Sequence, residues 1–567
     1  MAAVESRFNI PVPSTDILSY LFDSPWSQTQ GYPENESLVL CAKGPEKSAY
    51  SLDQLRYLVK CFSCGFHSRA PAPARVVIYG VLNINFPVVI LGAIGAGAVC
   101  NICPAYPFDE TVARFQTTNA DYVFFAPDHR NVVTSAAKVA GISSECLFAL
   151  DGSKIDEKVG NFHGNCEVSH WSSLLDFTKG PSFQWRKLSE EEAKTTTALL
   201  CHTSGTTGLP KMAERTHYGL IGNTEQLLYR YHLEARARTE TWFCTFLYAG
   251  IGFILYGFLM PLKARYKTIF MPQYNLEGFL SAVEKFRPTS LHTPKHIFQN
   301  LLTNARHADF SFVTSLRTGG AMIPVKMREE WTQSHGSPCE VVCGMTEGGI
   351  HFASDPRELE RDETVGELLP NLEAKVVDPS GRLLPKGQCG EILIKNPFIM
   401  KGYLNKENAS KDVFTSDGFI RTGDIGMVNE SGRWYVLGRI KDLFKHNGGH
   451  VMASEIEAAI LTHPQILEAV IVPVKLPQAG DDEPVPRGYI VRPPGSSLTT
   501  EGFTNWMFDA LSERLRLQGG IKFLDALPVS TVRIPATRAR GDSLKLICQQ
   551  GGKIDRNALR ERAKGEV

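Results

Sequence analysis

Thr203-Ser204-Gly205-Thr206-Thr207-Gly208-Leu209-Pro210-Lys211 is the stretch on which the reading of this chain turns. Threonine, serine and glycine fill its first six positions. Glycine lets backbone N–H groups approach an anion closely, hydroxyls add donors, and the lysine supplies a full positive charge. The apolar Ala198-Leu199-Leu200 just before it reads as the end of a strand. The expectation is therefore a strand followed by a phosphate-holding loop. The spacing is not the Gly-x-x-x-x-Gly-Lys-Ser/Thr of ordinary P-loops. The same composition also suits a solvated linker, and the loop alone does not decide between the two.

The 567 residues are enough for several cores. Lys plus Arg number 60 and Asp plus Glu number 60, so the formal net charge is zero. That balance gives no reason to expect nucleic acid or a charged membrane surface as partner. No apolar run approaches the roughly 20 residues of a membrane span; the longest, near Phe86–Ala98, reads as a buried helix followed by a turn. There is no signal-like start. The last residues, Lys564-Gly565-Glu566-Val567, are not a peroxisomal Ser-Lys-Leu address. The expectation is a cytoplasmic protein. Thirteen scattered cysteines argue against a disulfide framework. The pairs Cys61/Cys64 and Cys100/Cys103 have Cys-x-x-Cys spacing but lack the turn-rich setting of a zinc knuckle, so they read as small buried side chains.

Helix-like and strand-like segments alternate through the first two hundred residues: a helix at Leu52–Phe66, strands at Arg75–Tyr79 and Asp121–Ala126. After Lys211 the rhythm resumes, with a helix at Leu276–Phe286 and a strand at Ser290–His292. This predicts an α/β fold with parallel strands. Between Val365 and Val436 short strands and turn signals crowd together, predicting an antiparallel β-lobe. Ala453–Thr462 and Gly502–Leu515 then read as helices and Ile466–Val474 as a strand. The predicted organisation is a large domain, 1–438, of two α/β subdomains and a small β-barrel-like lobe (about 365–438), then a mobile α+β domain, 439–567, with its hinge at 439–441.

Taken together, these segments resemble the adenylate-forming superfamily, which includes acyl- and aryl-CoA ligases similar to coumarate–CoA ligase, firefly luciferase and the adenylation domains of peptide synthetases. The resemblance runs from about Ser51 to the C-terminus. It is carried by Thr203–Lys211, by Thr216-His217, by Gly344-Met345-Thr346-Glu347, and by Gly390-Glu391 with Gly402-Tyr403-Leu404-Asn405. Arg421-Thr422-Gly423-Asp424 follows, then Gly438-Arg439-Ile440-Lys441-Asp442 with Lys445, Gly448 and Glu455-Ile456-Glu457, and last Gly552-Lys553-Ile554-Asp555-Arg556. Each match alone is weak; their order and spacing make the signal.

The resemblance implies ATP-dependent activation of a small carboxylic acid to acyl-AMP, then transfer to CoA, with ATP, Mg²⁺ and CoA as the small molecules and a monomer or weak homodimer as the assembly. By resemblance, Thr203, Ser204, Gly205, Thr206, Thr207, Gly208 and Lys211 hold the β- and γ-phosphates, Thr346 contacts the α-phosphate, and Glu347 holds Mg²⁺. Asp424 takes the ribose hydroxyls with Arg439 close by. Gly319, Gly320 and Ala321 line the adenine and acyl pocket. Tyr248, Ala249, Gly250, Gly344 and Gly348 join that pocket, where missing side chains are expected to leave room for a bulky aryl or medium-chain acid. Lys553 bridges the carboxylate and α-phosphate. Lys441 is the hinge, Lys445 belongs to the face presented in the second half-reaction, and Gly448 lets the pantetheine arm pass.

The sequence departs from the family pattern in places. Cys343 stands where an aromatic residue usually stacks on adenine, and Met212 follows the loop lysine in place of glycine. The residues 532–550 separate Pro528 from Lys553 by more than the family does, and read either as a surface loop, entropically tolerable at this length, or as a translated intron. The alternatives to a CoA ligase are an adenylating enzyme that loads a carrier protein and a catalytically impaired nucleotide-binding paralogue. An amino-acid-activating domain would carry an acidic residue in the acyl motif, and Phe246–Gly250 has none.

Overall fold

Val76, Val77, Ile78 and Tyr79 are all buried, as a central parallel strand covered on both faces requires. In a computed structural model, which describes residues 3–23, 25, 37–41, 49–70, 73–155, 168–203, 211–231, 240–355, 362–446, 449–475, 484–528, 532–533, 548–549 and 554–566, the strand Arg75–Tyr79 lies mid-way in a seven-stranded sheet. Val99–Cys103 and Tyr122–Phe125 flank it in parallel. Thr197–His202 joins Val99–Cys103 in parallel, and Met212–Thr216 closes that edge antiparallel. The helix Leu52–Arg69 packs on this sheet. It starts where predicted because Ser51 and Gln54 exchange both hydrogen bonds of a capping box. Leu55, Leu58, Val59, Phe62 and Phe66 make its buried stripe. Cys61 and Cys64 sit on this helix and Cys100 and Cys103 on a central strand, all buried.

A second sheet has nine strands. Its parallel centre runs Cys339–Met345, Ser315–Gly319, Ser290–Pro294, Thr241–Cys244, Lys267–Phe270. Gly349–Ala353 turns back antiparallel on Cys339–Met345. The helix Leu276–Phe286 matches its predicted span, because the Asn275 side chain accepts from the Gly278 N–H at one end and Arg287 adopts left-handed φ before Pro288 at the other. Between Gly250 and Ala264 the chain forms a helix with a π-helical middle, Ile254–Leu259, every residue of which is buried.

The predicted β-lobe is an antiparallel five-stranded sheet, ordered Val4–Glu5, Glu373–Val377, Gly390–Lys395, Ile420–Val428, Trp434–Arg439. Its first strand comes from the N-terminus and was absent from the sequence reading. Beyond it lies a smaller C-terminal α+β part. There Glu468–Val474, Val485–Val491 and Ile521–Leu524 form a mixed sheet, packed by the helices Ala453–Ile460, Thr500–Ala510 and Arg556–Gly565. Its buried apolar clusters draw only on residues from Val451 onward, and the others only on residues up to Trp434. No helix among the described residues is long and apolar enough to cross a membrane.

Within the stretch 532–550 the described residues are Val532–Arg533 and Cys548–Gln549, which pair antiparallel. Just outside it the Asp555 N–H donates to the Pro528 carbonyl at 2.8 Å.

Candidate active site

The stems of the opening loop are held together. The Thr203 N–H donates to the Lys211 carbonyl at 2.9 Å, at the end of the antiparallel pair Thr197–His202 and Met212–Thr216. The residues between them, Ser204, Gly205, Thr206, Thr207 and Gly208 included, lie outside the described residues, so the loop's shape is not described. Next to the stem runs the segment Gly402-Tyr403-Leu404: the Glu214 N–H donates to Gly402 and the Leu404 N–H to Met212, both at 2.9 Å. This places the Tyr403 ring 4.8 Å from the Lys211 ammonium, a cation–π contact. The Tyr403 hydroxyl donates to Glu347 Oε1 at 2.6 Å. Glu347 is buried, and its carbonyl accepts from the Met400 N–H at 2.7 Å. Lys211, Tyr403 and Glu347 form one line across the chain. Burial, followed by the Glu347 charge, pushes the Tyr403 phenol up, so it stays a donor.

Thr346 and Glu347 emerge at the carboxyl end of a parallel strand. Gly319 lies opposite Val342 in the neighbouring strand, so Gly320-Ala321 and Gly344–Glu347 leave the sheet on the same side. Carboxyl ends of parallel strands are where α/β sheets bind ligands. Gly320 and Ala321 are exposed there. Gly320 has φ +77° and nothing within 4 Å of where a Cβ would stand.

The other pocket glycines behave differently from the expectation. A Cβ on Gly319 would lie 2.3 Å from the Val342 carbonyl oxygen, one on Gly344 2.1 Å from that of Gly349, and one on Gly348 2.2 Å from Cε1 of His351. The room these glycines leave is filled by the protein's own backbone and an imidazole. Missing side chains at these three positions thus serve close packing and do not enlarge a cavity. Tyr248 and Ala249 are buried and Gly250 is half-buried, ahead of the π-helical segment. Burial, with Cys103, Tyr106 and Tyr79 nearby, holds the Tyr248 phenol well above its ordinary pKa.

Two supporting groups carried no assigned role in the sequence. Arg215 is fully buried. It donates to the Thr346 carbonyl at 2.8 Å, to the Phe398 carbonyl at 2.9 Å and to Asn223 Oδ1 at 2.5 Å, fixing the backbone at Thr346. The signal was an arginine where a strand next to Thr216-His217 should be apolar. His217 accepts from the Ile17 N–H at 3.1 Å and so ties the helix Ile17–Phe22 to the site. Burial pushes its pKa down to about 4.

Asp424 and Arg439 face one another across adjacent strands of the lobe, with Arg439 Nε 2.9 Å from Asp424 Oδ1. A second Arg439 nitrogen donates to the Thr422 carbonyl at 2.8 Å. Lys441 follows in a short 3₁₀ turn, and its carbonyl accepts from Arg560 at 3.2 Å. Its neighbour Asp442 takes Arg560 at 2.6 Å. Arg556 grips Glu457 with two bonds of 2.6 and 2.7 Å and donates to the Ile471 carbonyl at 2.9 Å. The helix that begins three residues after Lys553 is thereby bound both to the segment Lys441–Asp442 and to the helix Ala453–Ile460. Lys553 and Gly448 lie outside the described residues. Lys445 is on the strand Leu443–His446, and nothing is described of its side chain.

The AMP-binding enzyme family matches residues 26–404. The chain belongs to the AMP-binding enzyme family. Among curated relatives, this AMP-binding chain is 28% identical over 534 residues to the acyl-CoA ligase azaF of Aspergillus niger, covering 92% of this chain and 96% of that one. It is also 28% identical over 534 residues to the phenylacetyl-CoA ligase epaB of Aspergillus niger, covering 92% and 95%. Among solved structures, ATP-bound MatB from Rhodopseudomonas palustris superposes with a TM-score of 0.81 at 22% identity, over 97% of this chain and 99% of that one. That likeness speaks for the fold.

Proposed function

We propose that this AMP-binding enzyme is an acid–thiol ligase that activates a carboxylic acid with ATP and hands the acyl group to CoA. The observation that carries the reading is the Lys211–Tyr403–Glu347 line at the foot of the Thr203–Lys211 loop. It aligns a cation, a hydrogen-bond donor and a carboxylate where the loop would hold phosphates.

In the first step a carboxylate oxygen attacks the α-phosphorus, and the bond to pyrophosphate breaks. Two anions must meet, so the chain's work is to hold charge. Lys211 and the loop take the β- and γ-phosphates, and Lys553 lies between the carboxylate and the α-phosphate. Arg215 keeps Thr346 in place from behind. Asp424, oriented by Arg439, accepts from the ribose hydroxyls. Among the described residues no three His, Cys, Asp or Glu side chains cluster to hold a metal ion. Glu347 gives Oε1 to Tyr403, and its other oxygen has no hydrogen-bond partner among the described residues, which fits Mg²⁺ held by one carboxylate and phosphate oxygens; bound there, the ion would offset phosphate charge. In the second step the CoA sulfur attacks the acyl carbonyl carbon and AMP leaves. We place the division of the two parts at 438/439, with Lys441 as hinge, so that rotation withdraws Lys553 and presents Lys445 and Gly448. The Pro528–Asp555 hydrogen bond supports a Lys553 that keeps its place despite the 532–550 excursion.

The test is pyrophosphate release across a panel of aryl and medium-chain acids, with CoA-dependent AMP formation measured alongside. Lys553→Ala is expected to abolish acyl-AMP formation and to spare thiolysis of supplied acyl-AMP. Equal loss of both steps would overturn the lysine's role. Pyrophosphate release without CoA-dependent AMP formation would replace CoA by another acceptor.

A further inference from the structure

The strand Thr197–His202 leaves its parallel neighbour just before the phosphate loop. Its pairing with Val99–Cys103 joins Cys100 to Leu199 and Asn101 to Leu200 and goes no further among the described residues. Cys201 and His202 are laddered on the other side, to Ala213 and Met212. Side chains continue the broken connection. Asn101 Nδ2 donates to the Leu200 carbonyl at 2.7 Å, and Asn101 Oδ1 lies 3.2 Å from His202 Nε2. His202 Nδ1 lies 3.1 Å from a terminal nitrogen of Arg114. A guanidinium only donates and a backbone carbonyl only accepts, so the two ends fix the sense of the series. Arg114 donates to Nδ1, the Nε2–H donates to Asn101, and Asn101 donates to Leu200. His202 is half-buried. Burial, followed by the Arg114 charge, pushes its pKa down to about 3, so the ring is neutral, as that series requires.

Arg114 is a firm anchor. It is buried on the helix Phe108–Thr118, its guanidinium lies 3.6 Å from the centre of the Tyr106 ring, and the Glu110 carboxylate is 3.8 Å away. One turn further on, the Thr118 hydroxyl touches the Met212 sulfur at 3.6 Å. Met212 lies opposite His202 in the ladder, so one helix holds both stems of the loop. Beyond them Thr203 and Lys211 close their 2.9 Å backbone bond. Stability alone does not call for this arrangement. Leu200 and Met212 beside His202 are buried and apolar, whereas the Arg114 charge is buried with its Nε–H unmet among the described residues. Ionic groups in an interior are weak evidence for stability; a hydrogen-bonded polar network specifies a unique geometry.

We propose that His202 is a positioning residue for ATP: held between Arg114 and Asn101, it sets Thr203 against Lys211 at the mouth of the phosphate loop. This rests on the reading of Thr203–Lys211 as the loop that takes the β- and γ-phosphates. The role is confined to those phosphates, so a nucleotide that lacks them should not sense His202.

The test measures by calorimetry, with Mg²⁺ present, the Kd of the non-hydrolysable ATP analogue AMPPCP and that of AMP, for the wild type, His202→Phe, His202→Gln and Arg114→Met. His202→Phe keeps a ring and removes both nitrogens; it should weaken AMPPCP by about tenfold to a hundredfold, the scale of a misplaced binding group, and leave AMP unmoved. Arg114→Met should do the same, and the double variant should be no worse than either single one. His202→Gln, which carries a donor and an acceptor, should recover part of the loss. A further measurement needs only the wild type and one variant for assignment: the ring ¹⁵N signals that His202→Gln removes should be those of a neutral imidazole protonated at Nε2. Unchanged AMPPCP affinity, equal loss of AMPPCP and AMP, or a ring protonated at Nδ1 would overturn the proposal and leave the ligase reading standing. A wild type that binds AMPPCP no more tightly than AMP would remove the phosphate-loop reading on which the proposal rests.

Discussion

Replacing Arg556 by methionine keeps the side chain's length and removes its charge. What is lost is a two-bond grip on Glu457, at 2.6 and 2.7 Å, a bond to the Ile471 carbonyl at 2.9 Å and a longer contact to Asp442 at 3.7 Å. The Arg556 and Glu457 side chains are 22% and 13% exposed. A fully buried pair broken on one side costs about 3–5 kcal/mol, and an exposed pair less than about 1 kcal/mol. At this exposure the expected cost is about 2–3 kcal/mol. Glu457 keeps the Ile471 N–H at 2.8 Å and the nearby Lys295 charge. The cost should fall on the helix Arg556–Gly565, whose other anchors include Arg560–Asp442, the Tyr489 hydroxyl on its C-cap Glu566, and the buried Leu559 and Ala563. Hydrogen exchange of its amides should therefore quicken by roughly 30- to 150-fold if opening is local. Acyl-AMP formation should slow in parallel, because Lys553 immediately precedes the anchored helix. Glu457→Gln and the double variant complete the cycle, and a coupling of at least about 1 kcal/mol is expected. Exchange within threefold of wild type, or additive single effects, would refute the clamp.

Tyr403→Phe removes the 2.6 Å bond to Glu347; a bond to a charged acceptor is worth about 1.5–3 kcal/mol, so kcat/KM for pyrophosphate release should fall roughly tenfold to a hundredfold, and an unchanged value would remove Tyr403 from the site. Asp424→Ala should raise KM for ATP by about tenfold or more, with the KM for the acid little moved; equal effects on both substrates would argue against ribose binding. Burial holds His217 at about 4, and His202 and His351 at about 3, against an ordinary 6.5. The unfolded chain takes up these protons first, so stability is full above about pH 6.5 and is lost as pH falls from there toward 4. Each group costs at most about 2 kcal/mol between pH 7 and 5, and urea midpoints measured over that range should drop accordingly; a flat profile would contradict neutral buried imidazoles.

Much of this was legible in the sequence where local chemistry and tertiary demand agree. The strand Arg75–Tyr79 and the helix Leu276–Phe286 have the predicted spans, the one from an apolar run with turn signals, the other from its cap and Pro288. The strands Glu373–Val377, Gly390–Lys395 and Ile420–Val428 fall inside the stretch Val365–Val436 read as an antiparallel lobe. Other features were hidden for physical reasons. The segment Ile254–Leu259 is apolar all round, so periodicity could not reveal a π-helical turn. Arg215 buries a full charge in a strand, which no polar–apolar pattern anticipates, because carbonyls far along the chain stabilise it. The glycines at 319, 344 and 348 were read as space. Only the folded chain shows that Val342, Gly349 and His351 occupy it.

The pairing of Val4–Glu5 with Glu373–Ala374 has a consequence for biogenesis. These residues emerge from the ribosome well before their partners are translated, and at about 5–20 residues per second the wait is on the order of tens of seconds. During that interval both α/β sheets can mature co-translationally while the leading peptide stays unzipped. Docking of that peptide must wait for Glu373–Ala374, and a protease pulse during synthesis should find it cleavable until then, after the two α/β sheets have become resistant.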